Sequence, residues 1–114
     1  MPMQTEKQTK KRPNLDILCL NATNGNRNML VPWYLMSSYL YYCEDISILS
    51  DELYDVLCKR LHKHWGIVKH RHKHIIQQQY LVAGTGYYLS EKEYPNICKG
   101  AALRLLSRDS GTLF

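Results

Sequence analysis

Apolar positions recur at helical intervals through the middle of the chain. Trp33, Met36, Leu40 and Cys43 are spaced to share one face of a helix, and Tyr34, Leu35 and Tyr41 fill its other sides. Pro32 suits the first turn of that helix, which is expected to run to about Glu44. After a short connector, Asp45 to Leu49, Ser50 offers an N-cap with Asp51 and Glu52 in the first turn behind it. Leu53, Leu57 and Leu61 then form a stripe flanked by Tyr54, Cys58 and Trp65, and Gly66 is the expected stop. Residues 32–65 therefore predict an αα-hairpin.

The flanks carry weaker patterns. Leu15 to Leu20 reads as a short apolar strand or extended segment, and Asn21 to Asn28, with Asn24-Gly25 inside it, as a loop. Ile67 to Ile76 alternates basic residues with histidines, which suits an extended segment. Gln77 to Ala83 suggests a short helix stopped by Gly84-Thr85-Gly86, and Tyr87-Tyr88-Leu89 a short strand. Pro95 opens a last helix to about Ser107, expected to bury Ile97, Ala101, Leu105 and Leu106. The fold class is mainly α with minor β: the hairpin, a C-terminal helix and one or two short strands.

Length and composition narrow the classes. A chain of 114 residues has room for one domain, assigned to residues 14–114. Residues 1–13 offer little to bury and read as a disordered basic tail. No apolar run follows its charges, as a secretory signal would require, and no stretch approaches the roughly 20 apolar residues of a membrane span. Cys19, Cys43, Cys58 and Cys98 are widely spaced, each in an apolar neighbourhood, with no paired C-x-x-C element. Reduced core thiols and a cytoplasmic location are the expectation.

Charge changes the picture most. The net charge is +5, yet no acidic residue occurs from Val56 to Ser90. Lys59, Arg60, Lys63, Lys69, Arg71 and Lys73 lie in that window with all five histidines: His62, His64, His70, His72 and His74. Such a block attracts phosphate. It also suits a solvated helix end, where cations oppose the negative pole of the helix.

The hairpin carries the other candidate chemistry. Asp51, Tyr54 and Asp55 are spaced to share a helical face, and the preceding helix can bring Tyr41 and Tyr42 against it. Aromatic rings beside two carboxylates can stack on a flat heterocycle and accept hydrogen bonds from a ribose or amide. Equally, Tyr41 and Tyr54 can pack in a core while Asp51 and Asp55 face solvent.

This stretch resembles the N-terminal helical subdomain of bacterial NAD-dependent DNA ligases. That family's pattern is a Tyr-Tyr pair, an acid three positions on, then Ile-Ser-Asp-x-Glu-Tyr-Asp. Here Tyr41-Tyr42 is followed by Asp45 and by Leu49-Ser50-Asp51-Glu52-Leu53-Tyr54-Asp55. The family's subdomain grips the nicotinamide mononucleotide half of NAD. The resemblance thus implies NAD or NMN as cofactor, held by Tyr41, Tyr42, Asp51, Tyr54 and Asp55. It covers about residues 33–62. Ser47 stands where the family has proline, and Leu53 where it has glutamate. The ligase nucleophile is the lysine of Lys-x-Asp-Gly, and no lysine here has that context; Lys63-His64-Trp65-Gly66 has Trp in place of Asp. Ligation by this chain itself is not expected, and an enzyme is the less favoured reading. The hairpin and the histidine-rich segment also resemble small ligase-related phage proteins, which implies a phage-encoded accessory protein.

In the histidine-rich segment, an extended backbone would put His70, His72 and His74 on one face and Lys69, Arg71 and Lys73 on the other. The first set resembles an open zinc site, and a metal-dependent nuclease has to be considered. No carboxylate lies nearby and the cations oppose a divalent ion, so no metal is expected. Phosphate contact through Lys69, Arg71, Lys73, His70 and His72 is the better reading. Gly84-Thr85-Gly86 can approach a phosphate or simply turn the chain.

Three functions follow in order of expectation. The first is an accessory protein of DNA or NAD metabolism that binds NAD or NMN. With only one wall to the pocket, affinity would be weak, roughly high micromolar to millimolar. The second is a module for nucleic acid or a host DNA-metabolism protein, with the hairpin as scaffold. The third is the nuclease.

Overall fold

The structure, a computed structural model, describes residues 14–110; the basic tail expected at residues 1–13 lies outside them. Five helices follow one another: α1 (Asp16–Gly25), α2 (Leu30–Cys43), α3 (Asp51–Lys63), α4 (Gln78–Ala83) and α5 (Asn96–Ser110). Short 3-10 turns occur at Arg27–Met29, Lys73–Ile75 and Glu91–Glu93. The mainly helical class is as expected. The minor strands are not: the described residues contain no strand.

α2 is the centre of the fold. Its residues from Leu30 to Tyr41 are buried apart from Pro32: all but two are apolar or aromatic, and the buried Ser37 and Ser38 hydroxyls are hydrogen-bonded. It packs against α1, α3 and α5, and α4 rests on α3. The helix starts at Leu30, two residues before Pro32. It ends where Asp45 takes a left-handed conformation (φ 60°) and the Ile46 N–H returns to the Leu40 carbonyl at 2.8 Å.

α3 begins as its sequence predicts. The Ser50 side chain accepts the Leu53 N–H at 3.1 Å, and Leu53, Leu57 and Leu61 face the core. Burying such a leucine stabilises the fold by about 1.5–3 kcal/mol relative to leaving it wet. The helix stops at Lys63 rather than at Gly66, and the chain turns through His64–Ile67.

The expected strand at Leu15–Leu20 is instead the first half of α1. Leu15, Cys19 and Thr23 are buried one turn apart, a helical period that extends into the Asn-rich stretch. The Thr23 hydroxyl donates to the Cys19 carbonyl at 2.9 Å, and Arg60 of α3 donates to the Thr23 hydroxyl (3.1 Å) and carbonyl (3.4 Å). With no basic residue in its own last turn, α1 takes its C-terminal cation from another helix. At its start, Asp16 accepts the Ser50 N–H at 2.9 Å, joining the beginnings of α1 and α3.

Ile67–Ile76 is also not extended. The Lys73 ammonium donates to the carbonyls of Trp65 and Val68 and sits 4.7 Å from the Trp65 ring centre. Together with backbone hydrogen bonds from Val68 to His64, from Lys73 to His70 and from Ile76 to Lys73, that side chain holds the segment in turns. The expected alternation of an imidazole face and a cation face is therefore not formed.

α5 presents Cys98, Ala102 and Leu105 to the core. Leu105 is buried as expected and Ala101 and Leu106 are partly buried, but Ile97, expected inside, is 61% exposed, because Cys98 and Ala102 take the inward positions in the first turns. The four cysteines are free thiols. Burial pushes Cys19 and Cys58 up to about 12 and Cys98 to about 11, which removes them as nucleophiles near neutrality. No helix among the described residues is long and apolar enough to cross a membrane.

Candidate functional site

The hairpin rim is occupied by the protein itself. α4 ends at Gly84 in the left-handed conformation (φ 72°), which swings Thr85 and Gly86 back onto α2 and α3. The Tyr34 hydroxyl donates to the Thr85 carbonyl at 2.7 Å, and the Tyr42 and Thr85 hydroxyls share a hydrogen bond of 2.8 Å. Tyr54 is only 1% exposed; its ring stacks on Tyr34 at 5.9 Å and its hydroxyl shares a 2.6 Å hydrogen bond with Ser38. Burial drives the Tyr34 and Tyr54 phenols well above their ordinary range, so both remain neutral. Tyr41 is 5% exposed and meets Tyr42 edge-on at 4.8 Å.

Of the five residues assigned to nicotinamide nucleotide, the fold gathers Tyr42 and Tyr54 beneath the Thr85–Gly86 turn. It sinks Tyr41 into the core and leaves Tyr42 half-buried. Asp51 and Asp55 are partly exposed at the start of α3. Asp55 lies 2.9 Å from the Lys59 ammonium, whose hydrogen bond holds the carboxyl below its ordinary value.

The histidine-rich turn divides its residues. Lys69 and Arg71 are exposed, whereas Lys73 is committed to the Trp65 and Val68 carbonyls. The His72 N–H donates to Nδ1 of His70 at 3.1 Å, so neutral His70 carries its proton on Nε2. His74 Nδ1 lies 3.0 Å from the Arg71 carbonyl. Among the described residues no three His, Cys, Asp or Glu side chains are grouped to hold a metal ion.

A second location collects charge without having been singled out by sequence. Between the end of α1 and the end of α3 lies an open cleft of about 500 Å³, lined by Asn24, Asn26, Arg27, Asn28, Arg60 and His64 among others. Asn26 uses its amide oxygen to accept the Asn28 N–H at 3.0 Å, and Asn28 uses its own to accept the Lys69 N–H at 2.8 Å. Both side-chain NH2 groups are thereby left as donors. Partial burial, then the charges of Arg27, Lys63 and Arg60, hold His64 below its ordinary value. Among the described residues no carboxylate lines the cleft.

Guanidinium and amide donors in an acid-free recess suit an oxyanion such as phosphate. The signal for this site was the charge block at Lys59–Lys73, but its partner, Arg27, sits in what read as a plain loop.

A scan against protein-family models, a search of curated proteins and a search of solved structures each found no match for the chain.

Proposed function

We propose that this protein is a nucleic-acid-binding module that grips the phosphate backbone at the cleft between α1 and α3, with the αα-hairpin as its scaffold. The observation that carries the reading is the convergence of Arg27, Arg60 and the Asn26 and Asn28 amides on one recess that, among the described residues, no carboxylate lines. Lys63 and Lys69 extend the same positive surface, and the run from Val56 to Ser90 supplies no acid to oppose it. Arg60 also neutralises the carbonyl end of α1, so its charge serves both the fold and the cleft. Contacts of this kind are independent of sequence and weaken as salt rises. Retention of labelled DNA or RNA by the full chain at low salt tests the reading. Binding should drop sharply for Lys63→Glu and Arg27→Glu; equal retention by wild type and both variants would refute it.

A second reading is a nicotinamide nucleotide bound at the rim. It is favoured by the half-buried ring of Tyr42 and by the partly exposed carboxylates of Asp51 and Asp55, four positions apart on α3. The buried positions of Tyr41 and Tyr54 weigh against it. Isothermal titration with NAD and NMN decides: heat at millimolar ligand that disappears in Asp51→Ala supports it, and no heat removes it.

A further inference from the structure

The turn that closes the hairpin rim also carries the protein's exposed tyrosines. Tyr87 and Tyr88 are 71% and 62% exposed, whereas the other seven tyrosines are buried or half-buried. The turn beneath them is fixed at several points. The Tyr87 N–H donates to the Thr85 hydroxyl at 2.9 Å, and the Leu89 N–H to the Gly86 carbonyl at 3.1 Å. Leu89 itself is buried. A rigid base thus holds two large rings in water, the reverse of what burial alone would select.

The rings form a continuous surface. Tyr88 lies nearly parallel to Tyr80 (5.6 Å, 26°), Tyr87 meets Tyr88 edge-on (5.6 Å, 80°), and Tyr42 meets Tyr87 (6.1 Å, 72°). Beside Tyr80 and Tyr88 an open recess of about 390 Å³ is completed by Gln77, Gln79 and Ala83. A planar ring inserted between Tyr80 and Tyr88 would need about 7 Å, twice the usual carbon contact distance. The spacing is shorter, so a ligand ring stacks on the outer faces of Tyr87 and Tyr88. The two glutamine amides supply donors and acceptors at its edge.

We infer that Tyr87 and Tyr88, with Gln77 and Gln79, form a base-stacking platform, and that the nucleic acid this protein takes is single-stranded. The inference rests on the phosphate-binding reading above and adds the form of the strand. Bases paired in a duplex hide the faces that such rings need, whereas a single strand presents them. The platform itself is uncharged, since residues 75–90 contain no acidic or basic side chain, so it contributes ring and amide contacts while the cations of the cleft hold the backbone. Tyr54, which lies beside Gly86, and Arg60, which lines the cleft, are six positions apart on α3, about 9 Å along its axis and about 120° around it. A strand of about 4–16 nucleotides is long enough to touch both.

The test is fluorescence anisotropy of the full chain with three labelled probes of equal length: oligothymidylate, an abasic oligomer and a duplex. Oligothymidylate should bind best. Tyr87→Ala and Tyr88→Ala should each weaken it by about tenfold, with little change for the abasic probe, and Tyr88→Trp should retain it. Both positions are exposed, and unchanged thermal unfolding verifies the fold. If all three probes bind alike and ignore the tyrosine changes, the platform is refuted while the phosphate reading stands. If the abasic probe falls as far as oligothymidylate, stacking is likewise refuted. If no probe binds at low salt, both readings fall together.

Discussion

Gly86 lies so close to Ser38 that a methyl group on its α-carbon would stand 2.6 Å from the serine hydroxyl oxygen and 2.7 Å from its β-carbon. Only a residue without a side chain lets the turn after α4 seat on the hairpin. Gly86→Ala should therefore destabilise the protein by about 1–3 kcal/mol through overpacking. Gly66→Ala, where the added atom meets nothing within 4 Å, is the control and should stay within about 0.5 kcal/mol. Urea unfolding of both variants measures the difference.

The hydrogen bond between Ser38 and Tyr54 is buried on both sides. Tyr54→Phe should cost about 1–3 kcal/mol, because it strands the Ser38 hydroxyl, and adding Ser38→Ala should recover part of that loss. Tyr94→Phe makes the contrast. Its hydroxyl is buried with no hydrogen-bond partner among the described residues, so removal should be neutral or stabilising. A double-mutant cycle by chemical denaturation checks both.

Lys69 and Lys73 should behave in opposite ways. Lys73→Ala leaves the Trp65 and Val68 carbonyls without their donor and should cost about 1–3 kcal/mol. Lys69→Ala should leave stability within about 0.5 kcal/mol while weakening nucleic-acid binding. Thermal melts and anisotropy on the same two proteins would show the separation, and identical profiles would contradict it.

Acidification should destabilise the fold. Burial comes first among the causes holding His64, His70 and His72 below their ordinary value, with neighbouring positive groups second. A histidine lowered in the folded state binds fewer protons there than in the unfolded chain. Protonation then favours unfolding, so stability is fullest above the ordinary histidine value of about 6.5 and is lost as pH falls below it. Melting temperatures from pH 7.5 downward should decline. His70→Asn combined with His72→Asn should flatten that decline.

The hairpin was legible because its signals are local. Ser50 caps within three residues, and Leu53, Leu57 and Leu61 mark one face without outside help. Gly84 is legible as a stop for the same reason. α1 was not legible as a helix: its apolar run ends at Leu20, and the turn that completes it depends on Arg60 reaching from α3. The segment 67–76 suggested extension through its alternation, but Lys73 bends it by contacting carbonyls up to eight positions back. Tyr41 and Tyr54 looked like ligand contacts because tyrosine suits both a core and a rim. What commits Tyr54 to the interior is Ser38, Tyr34 and the Thr85–Gly86 turn, and Tyr41 is buried against Tyr42 on α2. The cleft is not legible in the sequence because Arg27 and Arg60 are distant along the chain and meet only through the packing of α1 on the rest of the fold.

The central claim is that phosphate is held at the α1–α3 cleft. Its most direct measure is the salt dependence of oligothymidylate affinity for wild type and for the triple variant Arg27→Ala, Lys63→Ala, Lys69→Ala, between about 50 and 200 mM salt. Each phosphate contact on a single strand contributes about 0.7 to the slope of log affinity against log salt, so the variant's slope should be shallower by about 2. An unchanged slope, or a wild type that binds no strand at the lowest salt, would contradict the account.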